Sequence, residues 1–517
     1  MNSASPTRRD FLKATAALAA GAPFIAGRKT DKLNLLFLWT DEQRADTMAV
    51  YGNRKIHAPN LNRFASECVV IQNAYDSQPV CTPSRGTVMT GLWPHTTGCV
   101  ENNIPLPEST ACFPEILKDS DYHTGYFGKW HLGDEIFAQH GFEERQSMED
   151  GYKKYYREGR DRNQRSTYCQ FLKELGYKPD QESGDFSRGF CSRLPMEHCK
   201  PKFLELKTCD FLQRHRNEPF ILYVNFLEPH MPFNGPLNNE HNPSEVTVPD
   251  NFADPLEEDE PLRYRRLRER YHQKRTEGQD LTTEAGWRRL IANYWGLVTQ
   301  VDRSVGAILK KLEDLGLAEN TIVVFTSDHG DMMGSHQLLA KSVMYEESVK
   351  VPWLMRIPKL GRKQRVLQGR FSHIDLVPTL LDLMGKPMEG AFPGQSLVPL
   401  MSGGKAAEDH VFIEWNHAPR PSKKKEKSSP EEAGTISVDT SDDFIRTVIS
   451  PDSWKLCLND KDKCQLFNLN NDPGETTNLF YSGKHPDIIT NLTKKIHVWQ
   501  KRVGDTVSIA PGQKTSA

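Results

Sequence analysis

Three continuous apolar runs stand out along the chain, and each stops abruptly at chemically capable residues. Residues 33–39 read LNLLFLW and end at Thr40-Asp41-Glu42-Gln43. Residues 219–226 read PFILYVNF and end at Glu228-Pro229-His230; residues 321–326 read TIVVFT and end at Ser327-Asp328-His329-Gly330. Runs without polar alternation predict strands covered on both faces, as in a parallel sheet. Between them lie helical patterns. Leu297, Val298, Val301, Val305, Ile308, Leu309 and Leu312 keep helical spacing over residues 294–315, and residues 373–385 form a second apolar helix closed by Gly385. Strand–helix alternation predicts an α/β fold: a large, mostly parallel sheet flanked by helices. In such folds the functional residues gather at the carboxyl ends of the strands, where Asp41, Glu42, His230, Asp328 and His329 all fall.

The remaining segments divide the chain. Residues 1–30 carry Thr7-Arg8-Arg9-Asp10-Phe11-Leu12-Lys13 before a small apolar run, the pattern of a twin-arginine export signal. It predicts a periplasmic or secreted protein and the twin-arginine machinery as a partner. Residues 31–415 form the predicted catalytic domain, with a charged, solvated helical insertion at about 240–285 near the site entrance. Residues 416–442 read as a flexible loop of low hydrophobicity. Residues 443–517 read as a smaller antiparallel sheet with a packing helix. No later stretch is long and apolar enough to predict a membrane span.

Composition narrows the function. The chain has 517 residues, with 66 basic against 68 acidic side chains and a net charge of −2. That balance excludes a dedicated nucleic-acid binder, which needs a basic excess, but leaves room for a small anionic substrate. The ten cysteines show no metal-ribbon spacing. In an oxidising compartment some would pair, and Cys457 and Cys464, flanking a turn, are placed to face each other across a hairpin.

Asp41, Glu42, Asp328 and His329 make an oxygen-rich cluster if the first and third runs are neighbours. Such a cluster suits a hard divalent cation, calcium or magnesium, and the histidine admits manganese or zinc.

Residues 79–91, PVCTPSRGTVMTG, place Cys81 two residues before Pro83 and four before Arg85. The stretch fits, position by position, the signature of the formylglycine-dependent (type I) sulfatases. A second signature of that family is matched by Tyr122-His123-Thr124-Gly125-Tyr126-Phe127-Gly128-Lys129-Trp130-His131-Leu132-Gly133. Asp41, Pro229-His230, Asp328-His329-Gly330, Lys341 before Met344-Tyr345-Glu346-Glu347-Ser348, and a closing segment at 465–475 follow in family order. The chain therefore resembles a type I sulfatase of the alkaline-phosphatase-like superfamily over about residues 33–480.

The resemblance implies that a separate maturation enzyme oxidises Cys81 to formylglycine, whose hydrate attacks the sulfur of a sulfate ester and then expels sulfate. It implies one divalent metal, calcium first and magnesium or manganese next, held by Asp41, Glu42, Asp328, His329 and the modified Cys81. Arg85 and Lys129 would hold the formylglycine, His131 would contact its hydroxyl, and His230 and Lys341 would grip the sulfate and the leaving oxygen, one of them as general acid. His95 and His336 are weaker pocket candidates, and Asn102-Asn103 reads as a turn or a subsite. Two departures matter. Many sulfatases have a second aspartate where Glu42 stands, and many have asparagine where His329 stands. Histidine there also occurs in related phosphonate monoester and phosphodiester hydrolases. The expected function is an exported sulfatase acting on a sulfated carbohydrate. The alternatives are a phosphonate monoester/phosphodiester hydrolase with the same nucleophile and an inactive sulfated-glycan-binding relative.

Overall fold

The computed structural model describes residues 32–273, 275–387, 390–404, 409–418 and 442–510. The predicted export signal and nearly all of the predicted 416–442 loop lie outside them.

The three apolar runs become neighbours at the centre of one sheet. Strands β1 (Asn34–Asp41), β5 (Phe220–Pro229) and β6 (Thr321–Ser327) are fully or almost fully buried. Leu36 of β1 pairs in parallel register with Leu222 of β5 on one side and Val323 of β6 on the other. With β2 (Val69–Tyr75), β3 (His123–Gly128), β4 (Glu144–Gln146), β7 (Lys350–Val351), β8 (Trp353–Arg356) and β9 (Arg365–Ser372), they form a nine-stranded sheet of order β4-β3-β5-β1-β6-β8-β2-β7, with β9 alongside β2. The β7 and β8 pairings with β2, and the β8 pairing with β6, are antiparallel; the other pairings are parallel. Parallel strands buried on both faces need helices on both sides. One face packs α2 (Lys200–Arg214) and the long α4 (Glu284–Asp314); the other packs α1 (Cys81–Thr90) and α5 (Leu376–Leu383). The α4 pattern read from residue 294 begins ten residues earlier, where Thr283 caps Gly286 N–H with its side chain.

A second, four-stranded antiparallel sheet runs β10 (Val411–Trp415), β11 (Ile445–Ile449), β12 (Trp454–Asn459), β13 (Gln465–Asn468), with α6 (Pro486–Val503) against it. Its first strand comes from a stretch that the sequence places in the catalytic domain. The β12–β13 hairpin does not set the two cysteines opposite each other. Cys457 pairs with Gln465, and Cys464 lies just before β13, with its sulfur against Asn459. The ten cysteines form no disulfide, and nine of them are buried.

The charged stretch within 240–285 also differs from its predicted solvated state. Helix α3 (Leu262–Gln273) turns Tyr264, Leu267 and Tyr271 into the main core, and Arg263 lies 4.0 Å over the Trp415 ring. Only its outer face is solvated.

Lys455 of β12, fully buried, pairs with Glu475 at 2.8 Å and Glu346 at 3.1 Å, and Glu346 also accepts from Tyr75 Oη. These contacts clamp the second sheet to the segment that carries Lys341. Removing one partner strands two buried carboxylates. Lys455→Met is therefore expected to cost about 3–5 kcal/mol, read as a lower midpoint of urea unfolding; an unchanged midpoint would refute the clamp.

Candidate active site

Residue 81 opens helix α1, where its side chain meets residues at the carboxyl ends of β1 and β6. A helix start favours negative charge, and the thiol sits at the first helical position. Cys81 Sγ lies 3.3 Å from His329 Nε2, 3.7 Å from Asp41 Oδ1 and 3.8 Å from Lys129 Nζ. Burial and Asp41 oppose a thiolate, but Lys129, Lys341 and His329 outweigh them and hold the thiol below its ordinary value.

Asp41 organises the cations. Its Oδ2 accepts from Lys129 Nζ at 2.6 Å and Arg85 Nη2 at 2.8 Å, while Arg85 Nη2 also lies 3.0 Å from Asp328 Oδ2. Burial works against its charge, yet the cations Lys129, Arg85 and Lys341 hold the carboxyl well below the usual range. Arg85 is fixed further by the Lys129 carbonyl at 2.8 Å, by Asn225 Oδ1 at 3.0 Å and by the Trp39 ring at 4.7 Å. Its hydrogen bonds go to these groups and to Asp41; they bind it to the carboxylates beneath Cys81 rather than to the sulfur itself.

Asp41, Cys81, Asp328 and His329 bring ligand atoms within 4.8 Å of one another, all buried. Two features of this cluster fit a divalent cation. His329 Nδ1–H donates to the Gly330 carbonyl at 2.9 Å, which turns Nε2 toward the cluster, the usual orientation of a ligating histidine. Asp328 Oδ2 is buried and, apart from its ion pair with Arg85, makes no hydrogen bond. Against burial, Asp328 and Cys81 raise the His329 imidazole to about 10, so the pocket favours positive charge at this spot.

Glu42 turns aside from the other four. Its backbone is left-handed (φ 68°), held by Glu42 N–H donating to Asp328 Oδ1 at 3.0 Å. Its Oε2 meets Lys341 Nζ at 2.9 Å and His230 Nε2 at 3.3 Å. With Asp41 and His230 it makes a second, adjoining group of ligand atoms. Cys81, Glu42 and Asp41 keep Lys341 protonated in spite of burial, whereas burial and then Lys341 push His230 well below its ordinary range. The pocket thus holds a charged lysine beside a neutral histidine, whose Nδ1 donates to the Met231 carbonyl at 2.7 Å.

Lys129 and His131 are delivered by a tight turn after β3. Gly128 adopts φ 108°, and a Cβ there would lie 1.9 Å from the Asn225 carbonyl oxygen, so no other residue fits. His131 is left-handed at φ 58°; its N–H and that of Trp130 donate to the two oxygens of buried Glu135 at 2.6 and 2.8 Å. His131 Nε2 meets Asn103 Oδ1 at 2.9 Å, and Nδ1 is buried without a partner. Burial, Lys129 and Arg85 push the ring well below its ordinary range, so it is neutral. Because Asn103 Oδ1 accepts, the proton sits on Nε2 and Nδ1 is a ready base.

The structure thus brings Cys81, Arg85, Lys129, His131, His230, Lys341, Asp41, Glu42, Asp328 and His329 together. It takes His95 and His336 elsewhere: His95 is paired with Glu414, and His336 with Asp254 while stacked on Tyr345. Sequence reasoning missed Asn225, Glu135 and the role of Asn103. Asn225 was legible as the one polar residue inside the 219–226 run; Asn103 and Glu135 left no such mark. Asn103→Ala frees the His131 tautomer, and kcat is expected to fall about 10–100-fold with little change in KM. Steady-state kinetics check this, and an unchanged kcat would show that Asn103 does not set the ring.

Comparison with known proteins agrees with the geometry. The Sulfatase family profile matches residues 33–386. The chain is 28% identical over 391 residues to an ulvan-active sulfatase of Formosa agariphila, covering 75% of this chain and 68% of that protein. It is 25% identical over 539 residues to an N-acetylglucosamine-6-O-sulfatase of Bacteroides thetaiotaomicron, covering 92% and 88%. The phosphonate monoester hydrolase of Agrobacterium radiobacter superposes with a TM-score of 0.73 at 19% identity, covering 91% of this chain and 96% of that one, a likeness of fold.

Proposed function

The chain belongs to the sulfatase family, and from that premise we propose that it is an exported hydrolase that removes sulfate from a carbohydrate ester with residue 81 as nucleophile. The observation that carries the reading is the ring of Lys129, Lys341, His131 and His230 around a helix-opening Cys81, above a buried carboxylate–histidine cluster. A sulfate ester is a monoanion whose leaving oxygen gains charge in the transition state, so fixed cations are what its cleavage needs. The carbohydrate part is supported by the relatives, which are named for sulfatase action on ulvan and on N-acetylglucosamine. Export is supported by the Arg8-Arg9 signal.

Asp41, Asp328, His329 and residue 81 would hold the divalent cation, calcium first, with Glu42 beside them. The formylglycine made from Cys81 would supply a hydrated aldehyde, and the cation would favour its ionised oxygen at neutral pH. Lys129 anchors that residue from one side and is kept charged by Asp41. Lys341 stays protonated and carries the proton that a leaving alkoxide takes up; neutral His230 orients the ester oxygens. His131 Nδ1 takes the proton whose loss from residue 81 releases sulfate. The maturation enzyme that reads the Cys81-Thr82-Pro83-Ser84-Arg85 motif is a required partner.

The test is sulfate release by the matured enzyme over a panel of defined sulfated sugars and an aryl sulfate, with a phosphodiester and a phosphonate monoester as controls. The expected result is a higher kcat/KM for a sulfate ester than for either control. A higher value for a phosphorus ester would overturn the reading in favour of the phosphonate monoester/phosphodiester hydrolase.

A further inference from the structure

The segment between β4 and α2 matches none of the motifs, yet it reaches the pocket. The Tyr152 ring packs against the His131 imidazole, with centroids 4.6 Å apart. Its hydroxyl accepts from Arg188 Nη2 at 2.9 Å, and Arg188 Nε donates to Glu149 Oε2 at 2.6 Å. The other oxygen of Glu149 is taken by Lys200. We propose that Arg188 and Tyr152 form a subsite beside His131 that binds an anionic substituent, a carboxylate or a second sulfate, on the leaving sugar of the ester. The inference rests on the sulfatase reading of the site.

Three observations carry it. The first is charge. Lys200 alone would neutralise Glu149, so a second cation on the same carboxylate leaves an excess of positive charge. Against burial, Arg188 and Lys200 bring Glu149 down to about 2, so it stays ionised. Of the other acids that act here, Asp41 is already shared by Lys129 and Arg85, Glu135 is pushed up by burial, and Glu228 is pushed up to about 7 by burial.

The second is direction. The Lys200 and Glu149 side chains are 5% and 6% exposed, but that of Arg188 is 24% exposed. Its Nη2 also lies 2.6 Å from Glu149 Oε2, and the hydrogen bonds it makes to described side chains go through Nε and Nη2, which leaves Nη1 to a ligand. A guanidinium held at Nε and Nη2, with its remaining edge open, is preorganised to receive a carboxylate or a sulfate, at less entropic cost than a free side chain. The short helix Arg188–Cys191 fixes the backbone, capped by the Ser187 side chain, which Asp180 holds in turn.

The third is position. Tyr152 links Arg188 to the site: its ring stands against His131 and its hydroxyl against the part-exposed Arg188. The Arg188 charge also reaches the active histidines. It adds to burial and Lys129 in depressing His131, and to burial and Lys341 in depressing His230. A leaving group held beside His131 would therefore lie within reach of Tyr152 and Arg188.

The test compares monosulfated sugars in three forms of one skeleton: neutral, carboxylate-bearing and disulfated. The matured enzyme is expected to favour an anionic form over the neutral one by about 10-fold or more in kcat/KM, and Arg188→Gln to erase that ratio. Arg188→Lys should restore part of it, and Tyr152→Phe should lower it about 3–5-fold through loss of the hydroxyl that aims the guanidinium. Whichever of the two anions is preferred identifies the source of the charge. A wild type that prefers the neutral sugar, or an Arg188→Gln protein that keeps the anionic preference, would overturn the inference. If no sulfate ester of any kind, aryl included, is cleaved, the sulfatase reading fails by itself. Calorimetric binding of the same sugars to the Cys81→Ala protein, with and without Arg188→Gln, then decides the subsite. Arg188-dependent preference for the anionic forms supports it, and equal binding refutes it.

Discussion

The Cys81→Ala protein is expected to fold and yet release sulfate about 10⁵-fold more slowly than the matured enzyme. Folding should survive because the side chain is small and makes no strong hydrogen bond. Its sulfur contacts are with groups that hold one another: Lys129 and Arg85 through Asp41, and Lys341 through Glu42. The cavity left at this 1% exposed position costs on the order of 1–2 kcal/mol. Turnover should not survive, because the other hydroxyls in the first turn of α1 are engaged: Thr82 Oγ1 donates to the His131 carbonyl and Ser84 Oγ to the Asp328 carbonyl. Cys81→Ser sharpens the result. A serine hydroxyl can accept sulfate once, but it has no second hydroxyl with which to expel it, so a burst near one equivalent followed by a stall is expected. The mass of the peptide carrying residue 81 provides the matching observation on the unmutated protein. Formylglycine replaces a sulfur and two hydrogens by one oxygen, and active enzyme whose peptide retains the thiol would sink the proposed nucleophile. Comparable turnover by the alanine variant would do the same.

What the sequence revealed, and what it hid, follows from how each feature is encoded. The central strands β1, β5 and β6 were legible because burial on both faces forces a continuous apolar run, and because the polar residues that follow mark the strand ends. The flanking β7, β8 and β9 are short or partly exposed and carry no such run. That β10 joins the second sheet was not legible, because its partner β11 lies beyond residues 419–441 and no local pattern announces a pairing across such a gap. Helix α3 looked solvated because seven of its twelve residues are charged or histidine, as LRYRRLRERYHQ shows; its inner face rests on Tyr264, Leu267 and Tyr271 at helical spacing. In the site, the motif residues converge as a sulfatase resemblance implies. The direction of Glu42 was not legible, because it depends on a left-handed backbone and on where Lys341 and His230 stand. Tyr152 and Arg188 were equally hidden: their approach to His131 is a long-range contact made by a segment without a motif.

Asp41 is the residue whose loss should be felt both in stability and in chemistry. One oxygen holds Lys129 and Arg85, and the other faces Cys81 at 3.7 Å and His329 at 3.9 Å. Asp41→Asn keeps the shape and removes the charge. Its amide must turn N–H groups either toward two buried cations or toward the ligand cluster, and neither orientation is satisfied. Leaving Lys129 and Arg85 without their shared carboxylate is expected to cost about 3–5 kcal/mol, although Asp328 still pairs with Arg85. Sulfate release should fall about 10³-fold, because Lys129 loses the partner that fixes it beside residue 81 and the cation loses a ligand. The two consequences separate experimentally. Added calcium should raise the melting temperature of the wild-type protein, since a ligand that binds only the folded state stabilises it. It should raise that of Asp41→Asn far less. If calcium stabilises both proteins equally, Asp41 is not a ligand, and its place is with the cations alone. If it stabilises the wild type and not the variant, the buried Asp328 carboxylate and the inward Nε2 of His329 are two further ligands for the same ion.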